Sequence, residues 1–138
     1  MKYMLDTDTI SLVVRKDHDV IKNLIEHEDD EILISAISYA ELSYGLEKRG
    51  SEKLFSEVNT VLGKLSIVAF DDSQSELYGK IRSKLEKSGT CLGDMDMLIA
   101  AAAMNENAVL VSHNVKHFSK IKGIKVEDWK GSKQKNSK

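Results

Sequence analysis

The stretch CLGDMDMLIAAAAM, residues 91–104, places two carboxylates at the start of a segment built almost entirely of Met, Leu, Ile and Ala. From about Asp94 to Glu106 the chain is apolar nearly all round, which is typical of a helix that lies deep in a fold. Acidic residues cap helix starts and complement the helix dipole. Asp94 is therefore a candidate N-cap and Asp96 a dipole partner, unless both face a shared cation site.

The segments around this helix alternate between strand and helix patterns. Five short apolar runs predict strands: KYMLD (2–6), EILIS (31–35), SIVAF (66–70), AVLVS (108–112) and IKVEDW (124–129). Apolar residues at helical spacing predict helices over 18–28, 54–62 and 72–87, and a further helix that Ser38 begins. This alternation favours an α/β fold, an α/β/α sandwich around a central parallel sheet of four to five strands.

Length and composition set limits on the class of protein. The 138 residues suffice for one domain over residues 1–130, and residues 131–138 are predicted to form a flexible basic tail. No apolar run approaches the ~20 residues of a membrane span, and the single cysteine excludes an internal disulfide and a cysteine-rich zinc site. A cytoplasmic location follows as the expectation. The net charge of −2 argues against a nucleic-acid coat protein but permits an enzyme that contacts a short segment of RNA or DNA.

Polar residues follow the ends of several predicted strands or open the helices after them. They are Asp6, Glu41, Asp94, Asp96, Ser112 and Asn114. The carboxyl ends of parallel strands meet at one edge of a sheet, so these residues are expected to converge. Capping, including a Ser38-x-x-Glu41 capping box, accounts for one acid in each helix but not for several acids that converge. Because neighbouring carboxylates repel, we expect a hard cation between them, Mg²⁺ or Mn²⁺.

Four segments, in order, resemble the PIN-domain ribonucleases, and most closely the VapC-type toxins of toxin–antitoxin pairs. The segments are MLDTDTIS (4–11), ISAISYAELSYGLEK (34–48), YGKIRSKLEKSGTCLGDMDMLIAAAAM (78–104) and AVLVSHNVKHFSKIKGIKVEDW (108–129). The resemblance extends over residues 3–129 with its spacing preserved. It implies a PIN-like domain and an Mg²⁺- or Mn²⁺-dependent endoribonuclease that acts as the toxin of a type II pair.

The resemblance also implies roles for individual residues. Catalysis falls to Asp6, Glu41 and Asp96, and metal binding falls to Asp6, Asp96 and Asp94. Supporting roles fall to Asn114, Ser112 and Asp8. Many relatives carry a fourth Asp where this chain has Asn114, which leaves the number of ions, one or two, open. Attack by water on phosphorus would leave a 5′-phosphate and a 3′-hydroxyl.

The resemblance further implies partners. The substrate is expected to be structured RNA with an exposed single-stranded segment, such as tRNA or rRNA. Candidate phosphate contacts are Arg15, Lys16, Arg49, Arg82 and Lys116, although the residue type alone favours a solvated surface charge for each. A VapB-like antitoxin is the expected protein partner, with a homodimer that forms a heterotetramer or larger assembly with it.

Two alternatives remain at this point. The MLDTDTI opening also fits a haloacid-dehalogenase-like phosphatase, with Asp6 as nucleophile and Asp8 as acid/base, but that interpretation leaves Glu41 unused. The other alternative is a catalytically inactive PIN-like binding module, for which Asn114 is the best argument.

Several conspicuous side chains are expected to serve structure only. His18 and His27 should face solvent, and His113 and His117 lack a nucleophile partner and should have no catalytic role. Cys91 should be a small buried filler, and Trp129 should close the core. Tyr39, Leu42 and Leu46 are expected to form a packing face.

Overall fold

A computed structural model describes residues 1–131 as a five-stranded sheet with helices on both faces. The elements are, in chain order, β1 (Lys2–Leu5), α1 (Thr7–Val14), α2 (His18–Glu26), β2 (Glu31–Ser35), α3 (Ala36–Arg49), α4 (Glu52–Leu62), β3 (Ser66–Val68), α5 (Asp72–Lys87), α6 (Asp94–Asn105), β4 (Val109–Val111), α7 (Val115–Phe118) and β5 (Val126–Glu127). The predicted α/β/α sandwich is confirmed, as are all five strands. The predicted tail falls, apart from Gly131, outside the described residues.

All five strands pair in parallel, in the order β3-β2-β1-β4-β5. The chain builds outward from β1 in one direction and then returns to its other side with β4. The order of strands therefore reverses between β1 and β4. In open α/β sheets, ligands bind outside the carboxyl ends of the strands at such a reversal. The residues directly after β1 and β4 consequently occupy the position where this topology places a binding site.

The two faces of the sheet carry separate apolar layers because side chains alternate along each strand. Met4 points into a layer formed with α5, α6 and α7, whereas Tyr3 and Leu5 point into a layer formed with α1 to α4 and Trp129. The run Ala100 to Ala103 in α6 is fully buried. The prediction that this helix lies deep is confirmed, and small side chains let it pack closely against the sheet.

The starts of two helices differ from the prediction. Ser35, not Ser38, begins α3, since its Oγ accepts the N–H of Ile37 at 3.0 Å and β2 leads into the helix without a loop. Ser38 is instead fully buried in the first turn, so the Ser38-x-x-Glu41 capping box is wrong. Gly93 is the N-cap of α6 and provides no side-chain cap. Asp94 was left open as a candidate N-cap or a metal ligand, and the structure does not give it the cap position.

Some side chains also lie elsewhere than expected. Cys91 is exposed rather than buried. Tyr39 is 38% exposed, although Leu42 and Leu46 of the same predicted face are buried. His27 stacks on the buried Trp129 with ring centroids 5.0 Å apart, because the end of α2 lies over the ring. His18 is exposed and Trp129 is buried in the core, as predicted. Within residues 1–131, no helix combines the length and apolarity needed to cross a membrane.

Candidate active site

Asp6 lies at the point where β1 ends and α1 begins. Its backbone N–H donates to the carbonyl of Val111 at the end of β4, at 3.1 Å. Its carboxylate is the N-cap of α1, with Oδ1 accepting the N–H of Thr9 at 2.8 Å. The hydroxyl of Thr9 donates in turn to the carbonyl of Val111, at 3.1 Å. These bonds hold Asp6 at the β1–β4 reversal, where the topology predicts a site.

The charge of Asp6 is poorly compensated. The side chain is only 7% exposed, and burial raises the pKa of its carboxyl, outweighing the hydrogen bonds from Thr9 and Ser112 that lower it. No Lys, Arg or His of the described chain forms an ion pair with it. A buried carboxylate without a cationic partner is unfavourable. The environment of Asp6 therefore fits a bound cation.

Glu41 reaches the same edge from α3. Its Oε1 accepts the hydroxyl of Thr7 at 2.6 Å, so the residue next to Asp6 holds the second acid. An open groove of about 750 Å³ between α1, α3 and α4 begins here. The polar and charged residues that line it are Thr7, Asp8, Ser11, Arg15, Glu41, Lys48 and Arg49. The groove thus carries both signs of charge, with acids at one end and cations along its wall.

The remaining acids lie in the first turn of α6 and are more exposed. Asp96 is 41% exposed, and its Oδ2 lies 2.8 Å from Nε2 of His117. Asp94 is 68% exposed and forms a 3.5 Å ion pair with Arg82. Arg82 also donates to the hydroxyl of Tyr78 at 2.8 Å and pairs with Glu86. Arg82, a candidate phosphate contact, is therefore already engaged at the rim of the site.

The segment after β4 supplies polar rather than acidic groups. Ser112 is fully buried, its Oγ accepts the N–H of Asn114 at 3.0 Å, and its hydroxyl hydrogen bonds the carboxylate of Asp6. Asn114 is exposed at the start of α7, and Lys116 is exposed within that helix. This segment links Asp6 on one side to His117 and Asp96 on the other.

The predicted acids reach one edge of the sheet but do not form a closed ligand set. Carboxylate oxygens are the donors that Mg²⁺ and Mn²⁺ prefer, so the residue types fit such an ion. Within residues 1–131, however, no three His, Cys, Asp or Glu side chains lie close enough together to hold a metal jointly. Asp6, Glu41 and Asp96 each hydrogen bond to a partner of their own, namely Thr9, Thr7 and His117. Their sharing of one ion stays a prediction.

Three residues with contacts to the acids were not assigned a role from sequence. Thr7 holds Glu41 through its hydroxyl, and Thr9 holds Asp6 through its backbone N–H. An Asp between a predicted strand and a helix is a usable signal for the second contact, because it is a preferred N-cap residue. His117 was predicted to have no catalytic role because it lacks a nucleophile partner. Its actual partner is the carboxylate of Asp96, 21 residues away.

Comparison with known proteins places the chain in a family. The PIN domain family matches residues 3–124. Ribonuclease VapC2 of Rickettsia felis is 37% identical, over 94% of this chain and 98% of the relative. The tRNA(fMet)-specific endonuclease VapC of Salmonella typhimurium is 32% identical over the same shares.

Solved structures agree with the sequence relatives. VapBC2 from Rickettsia felis bound to a promoter DNA fragment superposes with a TM-score of 0.87 at 34% identity, covering 94% of this chain and 99% of that one. DNA-bound VapBC from Salmonella typhimurium gives a TM-score of 0.81 at 31% identity, covering 94% and 98%. The PIN family matches most of the chain, and VapC relatives are more than 30% identical to it over nearly its full length. The chain therefore belongs to the PIN-domain family and, within it, to the VapC ribonucleases.

Proposed function

We propose that this protein is a divalent-metal-dependent endoribonuclease, the toxin of a type II toxin–antitoxin pair, and that it hydrolyses structured RNA of the tRNA or rRNA class. The observation that carries the proposal is the buried carboxylate of Asp6, which lies at the β1–β4 reversal without an ion pair among residues 1–131. Family membership supports the reaction class, and the tRNA(fMet)-specific relative from Salmonella typhimurium supports the substrate class.

Asp6, Asp96 and Asp94 would hold the ion. When bound, Mg²⁺ or Mn²⁺ supplies Lewis-acid chemistry that makes water more acidic and offsets charge on the phosphate. Thr9 and Ser112 keep the carboxylate of Asp6 in place. Asp94 contributes only if it shares or leaves its ion pair with Arg82.

Glu41 acts as the base toward the attacking water, with Thr7 fixing its carboxylate. The water oxygen forms a bond to phosphorus while the bond from phosphorus to the 3′ oxygen breaks. Glu41 takes a proton from the attacking water, and the leaving oxygen takes a proton from solvent water to become a 3′-hydroxyl. The products are a 5′-phosphate and a 3′-hydroxyl, and no side chain becomes covalently attached. Asn114 can add an amide oxygen, but no charge, beside this step.

RNA binding would use the cations around the acids. Arg15 and Arg49 line the groove that begins at Glu41, and exposed Lys116 lies in α7 beside the other end of the site. Lys16 lines a neighbouring groove. Phosphates held along these walls would present an unpaired segment of RNA to the acids.

The protein partner would be a VapB-like antitoxin. Support comes from the VapBC complexes among the similar structures, from Rickettsia felis, Haemophilus influenzae and Salmonella typhimurium. A homodimer that assembles with antitoxin into a heterotetramer or larger complex, in the cytoplasm, completes this proposal.

The phosphatase alternative loses its basis once the family is known. The PIN family spans residues 3–124 and thereby includes Glu41, which a haloacid-dehalogenase-like enzyme leaves unused. The alternative of an inactive binding module makes a different prediction, which is the absence of turnover.

The test is RNA cleavage by the purified full chain, free of antitoxin, on bulk tRNA with Mg²⁺, Mn²⁺ or EDTA. We expect metal-dependent cleavage with 5′-phosphate ends, lowered about a thousandfold by Asp6→Asn. Asp71→Asn is the matched control, because Asp71 caps α5 through the N–H of Gln74 just as Asp6 caps α1. Cleavage by Asp6→Asn at the rate of the Asp71→Asn control would reject the proposal, and so would the lack of any turnover by the unaltered chain.

A further inference from the structure

His117 is the polar side chain beside the acids for which the proposed mechanism has no use. Its Nε2 lies 2.8 Å from Oδ2 of Asp96, and the two side chains are 33% and 41% exposed. The distance is that of a charge-assisted hydrogen bond. The contact joins α7, after β4, to the first turn of α6, before it, so two elements that flank one strand meet at the site.

The position of the His117 ring is set by the core. Its neighbour Phe118 is buried in the layer formed with α5 and α6. The imidazole contacts the ring of Phe118 edge to face, with centroids 5.4 Å apart and an interplanar angle of 82°. A ring held in this way can direct a hydrogen bond, whereas a freely solvated histidine cannot.

Asp96 needs such a restraint more than the other acids do. Asp6 is held by a buried backbone N–H and Glu41 by a threonine hydroxyl. In the part of the chain that the structure describes, the hydrogen bond to the Asp96 carboxylate comes from His117. Metal-ligating side chains generally depend on a neighbouring hydrogen bond for their orientation and basicity.

We infer that His117 is a positioning residue for Asp96. It donates its Nε2–H to Oδ2 and thereby fixes the carboxylate, which leaves the other oxygen for a divalent ion. The inference rests on the proposed function, since it concerns the assignment of Asp96 as a ligand. It also explains how the exposed first turn of α6 presents a carboxylate in a defined direction.

The chain offers a matched control for the test. His113 forms a second histidine–aspartate pair, with Nδ1 2.9 Å from Oδ2 of Asp128. Neither His113 nor Asp128 belongs to the proposed catalytic and metal-binding residues, and neither lines the groove between α1, α3 and α4. A His113→Ala variant therefore loses the same type of bond without touching Asp96.

The experiment measures Mn²⁺ affinity by electron paramagnetic resonance of the free ion, in the absence of RNA, on the purified full chain. The variants are His117→Ala, His117→Gln and His113→Ala, with thermal unfolding as a check of the fold. We expect His117→Ala to bind Mn²⁺ about 10- to 100-fold more weakly. His117→Gln, whose amide can still donate to Asp96, should recover much of the affinity, and His113→Ala should match the unaltered chain.

The outcomes separate the inference from the proposed function. Unchanged Mn²⁺ affinity in His117→Ala overturns the inference, and so does a His117→Gln variant as weak as His117→Ala in a folded state. Cleavage of bulk tRNA in the same samples, with Asp6→Asn alongside, tests the proposed function independently. An inactive Asp6→Asn variant beside a fully active, tightly binding His117→Ala variant would reject only the role of His117.

Discussion

The candidate site has two halves that use the same residue type in opposite environments. The buried half is Asp6 with Ser112, which directly follow the neighbouring strands β1 and β4. The exposed half is Asp94 and Asp96, in the first turn of α6. In the exposed half each carboxylate has a basic partner, Arg82 or His117. In the buried half, no ion pair among residues 1–131 includes Asp6.

This difference runs against what stability alone would favour. A buried carboxylate needs compensation more than an exposed one does, because the surrounding water screens the exposed charge. Here the protein supplies basic groups where they matter least and hydroxyls where charge is most costly. Such uncompensated burial is typical of functional sites, and it supports the proposal that a bound ion supplies the missing positive charge.

The largest expected effect is a difference in RNA cleavage between variants of Asp96 and Asp94, the two acids of the exposed half. Asp96→Asn should lower RNA cleavage about a thousandfold, like Asp6→Asn, whereas Asp94→Asn should lower it only about tenfold. The reason is that Asp94 is the more exposed and is paired with Arg82, while Asp96 is held by His117. Cleavage rates on bulk tRNA under saturating Mg²⁺ measure both. Equal losses in the two variants would contradict this ranking and show that Asp94 contributes as much to cleavage as Asp96 does.

A smaller effect is expected from the residue that joins the buried half to Glu41. Thr7→Val keeps the shape of the side chain but removes the hydroxyl that donates to Glu41. One lost hydrogen bond to a carboxylate should lower kcat about tenfold with KM unchanged. Thr60→Val removes a comparable hydroxyl on the exposed face of α4, where it donates to the carbonyl of Ser56, and should have no effect. A change in KM alone would place Thr7 in RNA binding instead.

The smallest expected effect concerns the stability of the metal-free protein. Burial raises the pKa of Asp6, so the native state holds this proton more tightly than the unfolded chain does. Ionised Asp6 therefore lowers the free energy of unfolding at neutral pH, and this penalty disappears as the pH falls through the raised pKa toward the ordinary value of 3.8.

Asp6→Asn should accordingly raise the Tm in EDTA at pH 7, and the difference should shrink as the pH is lowered. Asparagine retains the oxygen that accepts the N–H of Thr9, so the cap survives. Calorimetry across this pH range, with Asp71→Asn as the control, measures the effect. A lower Tm at pH 7 for Asp6→Asn would show that the charge of Asp6 stabilises the fold without any ion.

Local patterns predicted much of the architecture. The helix over residues 72–87 was predicted with the bounds it has, because its apolar stripe and flanking polar residues are local signals. Asp6 was placed correctly at the end of β1 for the same reason. The start of α3 was misplaced, because two serines three residues apart are equally good caps by type. Only the direct passage from β2 into the helix selects Ser35.

The contacts between side chains could not be predicted in the same way. Thr7 meets Glu41 across 34 residues, and His117 meets Asp96 across 21. Both contacts depend on which strands are neighbours and on how the helices after them lie against the sheet. The exposure of Cys91 and the stacking of His27 on Trp129 depend on the same packing. No spacing within one segment encodes these relations.

The sequence by itself determined the alternation of strands and helices, the deep position of α6 and the identity of the acids at the edge of the sheet. These follow from hydrophobic periodicity and from residue types, which act over one or two turns. The tertiary structure alone decided which acid is buried, which acids have basic partners and which hydroxyls and imidazole hold them. Burial and electrostatic compensation are properties of three-dimensional neighbours, and the strand order β3-β2-β1-β4-β5 brings those neighbours together.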